Sequence, residues 1–275
     1  MRGFPEELRT LYRPRRRFRS SGPTLVFQAI RRADRLPVLV KTVLDVAKDS
    51  ALAQTVKDEY QCLLDYPAPR FARVFAFHDL SGKPVLVREY GAGNSLALYF
   101  RWWRVSWRQF NVIALGLFDI LEDLWRHGLV HRDIKPDNLI FDKKTGVLKL
   151  IDFSLAMKAG PNAVPINLWQ LQGTPAFMSP EQTGWLQHGC DHRADQYSAG
   201  ASLYWLAAGS PPFTASPPDR LLQQVLTERP KSLSSIRQGC PNGLAEFIAQ
   251  MLEKDPALRF PNPQAVRSAF ADLLF

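Results

Sequence analysis

The sequence predicts an α+β fold in two lobes, and two observations predict it. Residues 1–90 alternate short β-branched and apolar runs with polar turns, whereas beyond Gly91 the apolar residues recur with helical spacing and the segments end at glycines. A strand-rich front followed by a helix-rich back is the pattern of strands and helices segregated within one chain. In the front part, Leu25–Ile30 and Val38–Val43 are predicted strands separated by the polar turn Arg31–Arg35. Their β-branched content suits a pleated, half-buried surface. Ala51–Leu64 is predicted to be a helix, because Leu52, Val56, Tyr60 and Leu63 fall on one face. Arg73–His78 and Pro84–Tyr90 read as a hairpin around Ser81-Gly82-Lys83. In the back part, Trp107–His127 is a long apolar helix stopped by Gly128, and Gln196–Ala208 is another stopped by Gly209. Leu221–Thr227, Gly243–Leu252 and Pro263–Phe275 complete the predicted helices.

A chain of 275 residues with 46% hydrophobic and 22% charged residues can bury a sizeable core in one large domain or two small ones. Its net charge of +9 favours acidic partners, such as nucleotide phosphates, nucleic acid or an anionic membrane surface, without choosing among them. The cluster Arg13, Arg15, Arg16, Arg17 and Arg19 is read as an exposed strand face. Three widely spaced cysteines, Cys62, Cys190 and Cys240, point to a reducing compartment without a disulfide framework. Met1–Thr10 contains acids and Pro5 and is not a signal peptide. Phe110–Leu121 is too short for a bilayer span and is interrupted by Asp119, so the expectation is a soluble, cytoplasmic protein.

The strongest chemical signal is His131-Arg132-Asp133-Ile134-Lys135-Pro136-Asp137-Asn138, which follows the long helix and precedes Leu139-Ile140-Phe141. A carboxylate can orient a hydroxyl nucleophile and accept its proton, and an amide oxygen five residues on can hold a metal ion. Lys135, two residues after Asp133, can reach a phosphate in transfer. Fourteen residues after Asn138, at the end of the apolar run Val147–Ile151, comes Asp152-Phe153-Ser154, whose carboxylate can chelate magnesium. Upstream, Val38-Leu39-Val40-Lys41 precedes Glu59 by eighteen residues, a spacing that suits an ion pair between Lys41 and Glu59.

In this order the motifs resemble those of the protein kinase superfamily, and the resemblance runs from about Val26 to Arg259. Gly173-Thr174-Pro175-Ala176-Phe177-Met178-Ser179-Pro180-Glu181 is similar to the family's peptide-docking segment, with Ser179 in place of alanine. Asp195-Gln196-Tyr197-Ser198-Ala199-Gly200 is similar to the start of the buried helix whose aspartate braces the catalytic loop, and Arg259 matches the arginine that pairs with Glu181. The resemblance implies a protein-kinase fold, with an N-lobe over 1–90 holding one main helix and a helical C-lobe over 91–275. It implies transfer of the γ-phosphate of ATP to protein hydroxyls, with magnesium or manganese as the metal and Asp133, Lys135 and Asn138 as the catalytic residues. Lys41, Glu59, Val26, Leu39, Glu89, Gly91, Ile140 and Asp152 are the implied nucleotide site, with Asn138 and Asp152 on the metal, and Thr174 would link the docking segment to Asp133. Lys135 and the pair Gly173-Thr174 favour serine and threonine over tyrosine as acceptors. The likeness is to bacterial serine/threonine kinases, including kinase domains that open large multidomain signalling proteins. A protein substrate is the implied partner, with room for a regulatory partner or a downstream domain and none for nucleic acid. The chain stops at Phe275, where such a domain should end, and both a stand-alone kinase and part of a longer protein remain open.

Several positions depart from the family pattern. The three glycine positions of the phosphate-covering loop hold Arg19, Ser21 and Thr24, with only Gly22 nearby, which removes the close backbone approach that glycine allows. Ser154 stands where the family has glycine, Leu39 replaces the usual alanine over the adenine, and Arg88 occupies the usually apolar gatekeeper position before the hinge Glu89-Tyr90-Gly91. A buried arginine there needs a partner, unless it reaches outward to water. Leu155–Gly173 contains no Ser, Thr or Tyr, so activity should not depend on phosphorylation within it; Thr174 and Ser179 are the nearest acceptors. His188, Cys190 and His192 lack a fourth metal ligand and are placed in a surface connection. Arg101-Trp102-Trp103-Arg104 with Trp107-Arg108 is read as packing or as a partner-docking surface rather than a nucleic-acid or membrane contact. The intact polar set favours an enzyme. The lost glycines, Leu39 and Arg88 favour a pseudokinase-like binding module, and a small-molecule phosphotransferase shares the Asp-to-Asn spacing.

Overall fold

A computed structural model of the chain describes residues 2–18, 23–45, 50–101, 104–160, 175–184 and 189–273. The fold is α+β: an antiparallel five-stranded sheet with one helix, followed by a helical region. Two compact units divide the chain, one of Met1–Gly91 with Asp152–Leu155, the other of Ala92–Ile151 with Ala156–Phe275.

In the first unit, β1 (Tyr12–Phe18), β2 (Thr24–Arg31), β3 (Pro37–Val43), β4 (Val74–Leu80) and β5 (Lys83–Glu89) lie in the order β1-β2-β3-β5-β4, and α1 (Ser50–Asp65) packs on one face. β1 is an edge, and its pairing slips between Pro14 and Arg16, where a proline without an N–H is tolerated. Arg13, Arg15, Arg16 and Arg17 are exposed on it, a charged edge of the kind that discourages further strand addition. The period-two alternation of β3 and β5 sorts their residues. Val38, Val40, Val85 and Val87 enter one core with Phe27, whereas Val43 and Leu86 meet Ala53 and Val56 of α1. The first core is closed by the N-terminus. Phe4 and Leu8, around a 3-10 turn over Glu6–Thr10, are buried on it, and the Phe4 ring stands edge-on to Phe27 at 5.3 Å. The sequence predicts no strand or helix there, because a single turn carries no periodicity.

The second unit contains the short strands β6 (Asn94–Ser95), β7 (Leu129–Val130), β8 (Leu139–Asp142), β9 (Val147–Leu150) and β10 (Met157–Lys158), paired as β6-β8-β9 and β7-β10. Its helices are α2 (Leu96–Tyr99), α3 (Trp107–Arg126), α4 (His192–Ala208), α5 (Pro218–Thr227), α6 (Leu233–Ile236), α7 (Leu244–Met251) and α8 (Pro263–Ala271). The core rings Phe110, Phe118, Phe247 and Phe270 interlock where α3, α7 and α8 meet. α4 starts at His192, four residues before the predicted start, because Asp191 caps it by accepting the Arg193 N–H at 2.8 Å. Its polar first turn concealed it: Asp195 and Gln196 are buried inside the protein with partners of their own. α5 begins at Pro218, where a proline at the first turn lacks only an N–H that has no intrahelical partner. α8 ends at Ala271 rather than Phe275.

Gly93 has φ +111°, and a Cβ built there would stand 2.1 Å from the carbonyl oxygen of Phe141 on β8. Gly93→Ala is therefore expected to lower stability by about 1–3 kcal/mol, the strain of a side chain in a conformation that only glycine adopts freely, seen as a lower urea midpoint. An unchanged midpoint would mean that β8 can give way.

Candidate active site

Two groups of charged side chains gather, one in each unit. In the first, strand parity places Leu39 and Lys41 of β3 on the face toward α1, with Val26 opposite Lys41 on β2 and Arg88 opposite Leu39 on β5. Lys41 donates to Glu59 Oε2 at 2.6 Å and to Asp152 Oδ1 at 2.8 Å. Lys41 and Glu59 are both buried. Burial alone would depress the Lys41 ammonium, but the Asp152 and Glu59 carboxylates outweigh it and hold the pKa above the ordinary lysine value. Burial would likewise raise the Asp152 carboxyl; the Lys41 charge and hydrogen bond, a hydrogen bond from Ser154 and the charge of Arg88 instead hold it well below the carboxylate range. Ser154, which stands where the family has glycine, thus helps to hold the acid two residues before it ionised. Phe153 is buried against Phe71, ring centres 4.8 Å apart. Leu39 is buried, and Glu89 at the end of β5 accepts the Arg73 N–H through Oε2 at 3.2 Å. Gly91, the last residue of the first stretch of this unit, is partly exposed.

In the second unit, Asp133 is the centre. Lys135 Nζ donates to both its carboxylate oxygens at 2.8 Å, and Asn138 Nδ2 donates to its Oδ2 at 2.8 Å and to its backbone oxygen at 2.9 Å. About a quarter of the Asp133 side chain is open to solvent, at 26%. The loop is braced from α4: Asp195 accepts the backbone N–H of His131 at 2.6 Å and of Arg132 at 2.8 Å. Burial pushes the Asp195 carboxyl up to about 7, against those two N–H groups, which favour its charged form. Ile140, on β8, is half-buried and pairs with Lys149 of β9. Arg132 in this loop and Asp152 in the first unit both have φ +66°, the left-handed region that branched side chains avoid. Such strain at about 1–3 kcal/mol per residue persists where surrounding contacts enforce it, and it concentrates at functional sites.

The described part of the stretch read from the sequence as a docking segment, from Pro175 onward, is anchored in the same unit. Arg259 grips Glu181 with two hydrogen bonds, 2.6 Å and 3.0 Å, and both side chains are buried. Sequence reasoning missed Gln182. Its Oε1 accepts from the Ser179 N–H and hydroxyl, and its Nε2 donates to the Arg132 carbonyl at 2.7 Å, which ties the segment to the loop that carries Asp133. The serine that departs from the family pattern, with a glutamine three residues on, was the available signal, since that pair is a helix capping box.

One expectation needs correction, and one alternative left open by the sequence is decided. Cys190 is not in a surface connection; it is buried against Val130, Ala194 and Met157, and burial pushes its thiol up to about 12. Arg88 does not reach outward: it is 4% exposed and lies 3.7 Å from Glu59 Oε1. Trp107 packs edge-on to Phe110, with the Arg237 guanidinium 3.6 Å from its ring centre. Arg19, Ser21, Gly22, Trp102, Trp103, Gly173, Thr174 and His188 lie outside the described residues. Among the described residues no helix is long and apolar enough to cross a membrane.

Comparison with known proteins identifies the family. The family model for the protein kinase domain matches residues 22–271. The serine/threonine-protein kinase PksC of Streptomyces coelicolor is 31% identical over 244 residues, 84% of this chain and 43% of that protein. A probable serine/threonine-protein kinase PknB of Bifidobacterium longum is 32% identical over 184 residues, 66% of this chain and 26% of that protein. Serine/threonine-protein kinase 36 of Pongo abelii is 27% identical over 245 residues, 89% of this chain and 18% of that protein. The chain thus spans less than half the length of these relatives. With the family model matched over most of its length, the chain belongs to the protein kinase domain family.

Proposed function

We propose that this chain is an ATP- and magnesium-dependent serine/threonine protein kinase. The observation that carries the reading is the hydrogen-bonded set of Asp133, Lys135 and Asn138 on a braced loop, in a member of the kinase family. In the reaction Asp133 orients the acceptor hydroxyl and takes its proton. The oxygen then bonds to the γ-phosphorus, the bond from that phosphorus to the bridging oxygen breaks, and ADP leaves. Lys135, already on the Asp133 carboxylate, stabilises the phosphoryl charge in transfer. Lys41, held by Glu59, orders the α- and β-phosphates. Asp152 and the Asn138 amide are hard oxygen donors of the type magnesium takes, and Asp152 is held ionised for that role. Asp152 and Asn138 would hold the metal, which would supply charge neutralisation for the phosphates. Catalysis of this kind is positioning and charge stabilisation rather than covalent chemistry.

A second reading is a nucleotide- or protein-binding module with little transfer, and the buried Leu39 and Arg88 on the Lys41 face of the sheet favour it. The two separate in one assay: transfer of labelled γ-phosphate from Mg-ATP to the chain itself and to a generic basic protein, beside Lys41→Ala. Label on serine or threonine that is lost in the variant is the expected result. A folded chain that transfers nothing with either magnesium or manganese would overturn the enzyme in favour of the module.

A further inference from the structure

Four charges gather in the first unit, two cations (Lys41 and Arg88) and two anions (Glu59 and Asp152), and all but the partly exposed Asp152 are buried. Lys41 serves both acids, but it reaches only one oxygen of Glu59. The other, Oε1, is buried without a hydrogen bond, and the Glu59 side chain is 0% exposed. Facing it at 3.7 Å is Arg88 Nε, which is also buried without a hydrogen bond. A guanidinium has no neutral form at accessible pH, so its charge must be met where it lies. Donor and acceptor are complementary, and their separation exceeds an ordinary N–H···O contact by only about 0.8 Å. Leaving both unmade is unfavourable, which favours their pairing. Strand register accounts for the placement: Arg88 sits opposite Leu39, hence on the face that carries Lys41 and looks toward α1.

We propose that Arg88 is a positioning residue of the nucleotide site: its guanidinium holds the second oxygen of Glu59, and Glu59 so held keeps Lys41 aimed at the phosphates. The part concerning phosphates rests on the kinase reading; the pairing does not. A space-filling role is the poorer account, because methionine or leucine would fill the volume without desolvating a cation. Arg88 also contributes to keeping Asp152 ionised, so one side chain supports both acids that Lys41 contacts.

The test is a double-mutant cycle on the full chain with Arg88→Met, Glu59→Gln and both together, plus Arg88→Lys. Unfolding midpoints in urea and the kcat and KM for Mg-ATP are the readouts. Non-additive midpoints are expected, because each substitution removes the other's partner. Arg88→Met should lower kcat/KM about tenfold, mostly through KM, and should have little further effect beside Glu59→Gln. Arg88→Lys should recover part of the loss, since it restores charge without the planar fork. Additive midpoints, or Arg88→Met transferring as well as the wild type, would overturn the proposal. If the wild type transfers nothing, the kinase reading fails by itself, and the unfolding cycle still decides whether Arg88 holds Glu59.

Discussion

Replacing Asp133 with asparagine is expected to lower kcat for phosphoryl transfer by about 10²–10⁴-fold, the share that a positioned general base contributes. Asparagine keeps the size of the side chain but cannot take a proton from the acceptor hydroxyl. It also removes the charge that Lys135 contacts through both oxygens at 2.8 Å. KM for Mg-ATP should change far less than kcat, because in the proposed reaction Asp133 acts on the acceptor and not on the nucleotide. The fold should survive, since the side chain is partly open to solvent and the loop is held from Asp195 and Gln182. Initial rates with labelled ATP and a far-UV spectrum of the variant check both halves. A folded variant within about tenfold of the wild-type kcat would remove Asp133 from the chemistry.

The largest effect on stability should come from Arg259→Ala. Arg259 and Glu181 form a two-pronged ion pair with side chains 0% and 1% exposed. Arg259 further donates to the carbonyls of Glu253 at 2.8 Å and Arg193 at 2.7 Å, and its guanidinium lies 5.0 Å from the ring centre of Tyr197. Removing one partner leaves the Glu181 carboxylate buried and unmatched, a loss of about 3–5 kcal/mol. For a chain of this size that is a fall in melting temperature on the order of 10 °C. Glu181→Ala should cost a similar amount, and the double variant should cost clearly less than the two together, because the second substitution removes the charge that the first one stranded. Differential scanning calorimetry of the three variants decides it. A shift of only a degree or two for Arg259→Ala would mean that solvent reaches Glu181.

Sequence patterns alone reached most of the secondary structure and the order of the chemical groups. Parity along Val38–Val43 puts Lys41 on one face, the spacing of Leu52, Val56, Tyr60 and Leu63 makes a helix, and the run from His131 to Asn138 holds its acid, lysine and amide within local hydrogen-bonding reach. These are short-range properties: strand period, helix period and loop spacing are set by residues close in the chain. What only the tertiary structure decided is long-range pairing. Arg88 faces Glu59, Gln182 reaches the carbonyl of Arg132 fifty residues away, and Cys190 is buried where the sequence reading placed a surface connection. Periodicity alone likewise starts α4 at Gln196; the resemblance points to the role of Asp195, but the buried partner of Gln196, the backbone of Phe260, appears only in the structure. A buried polar group is tolerated only where folding delivers its counterpart, and that depends on which distant segments pack together, which local pattern does not encode.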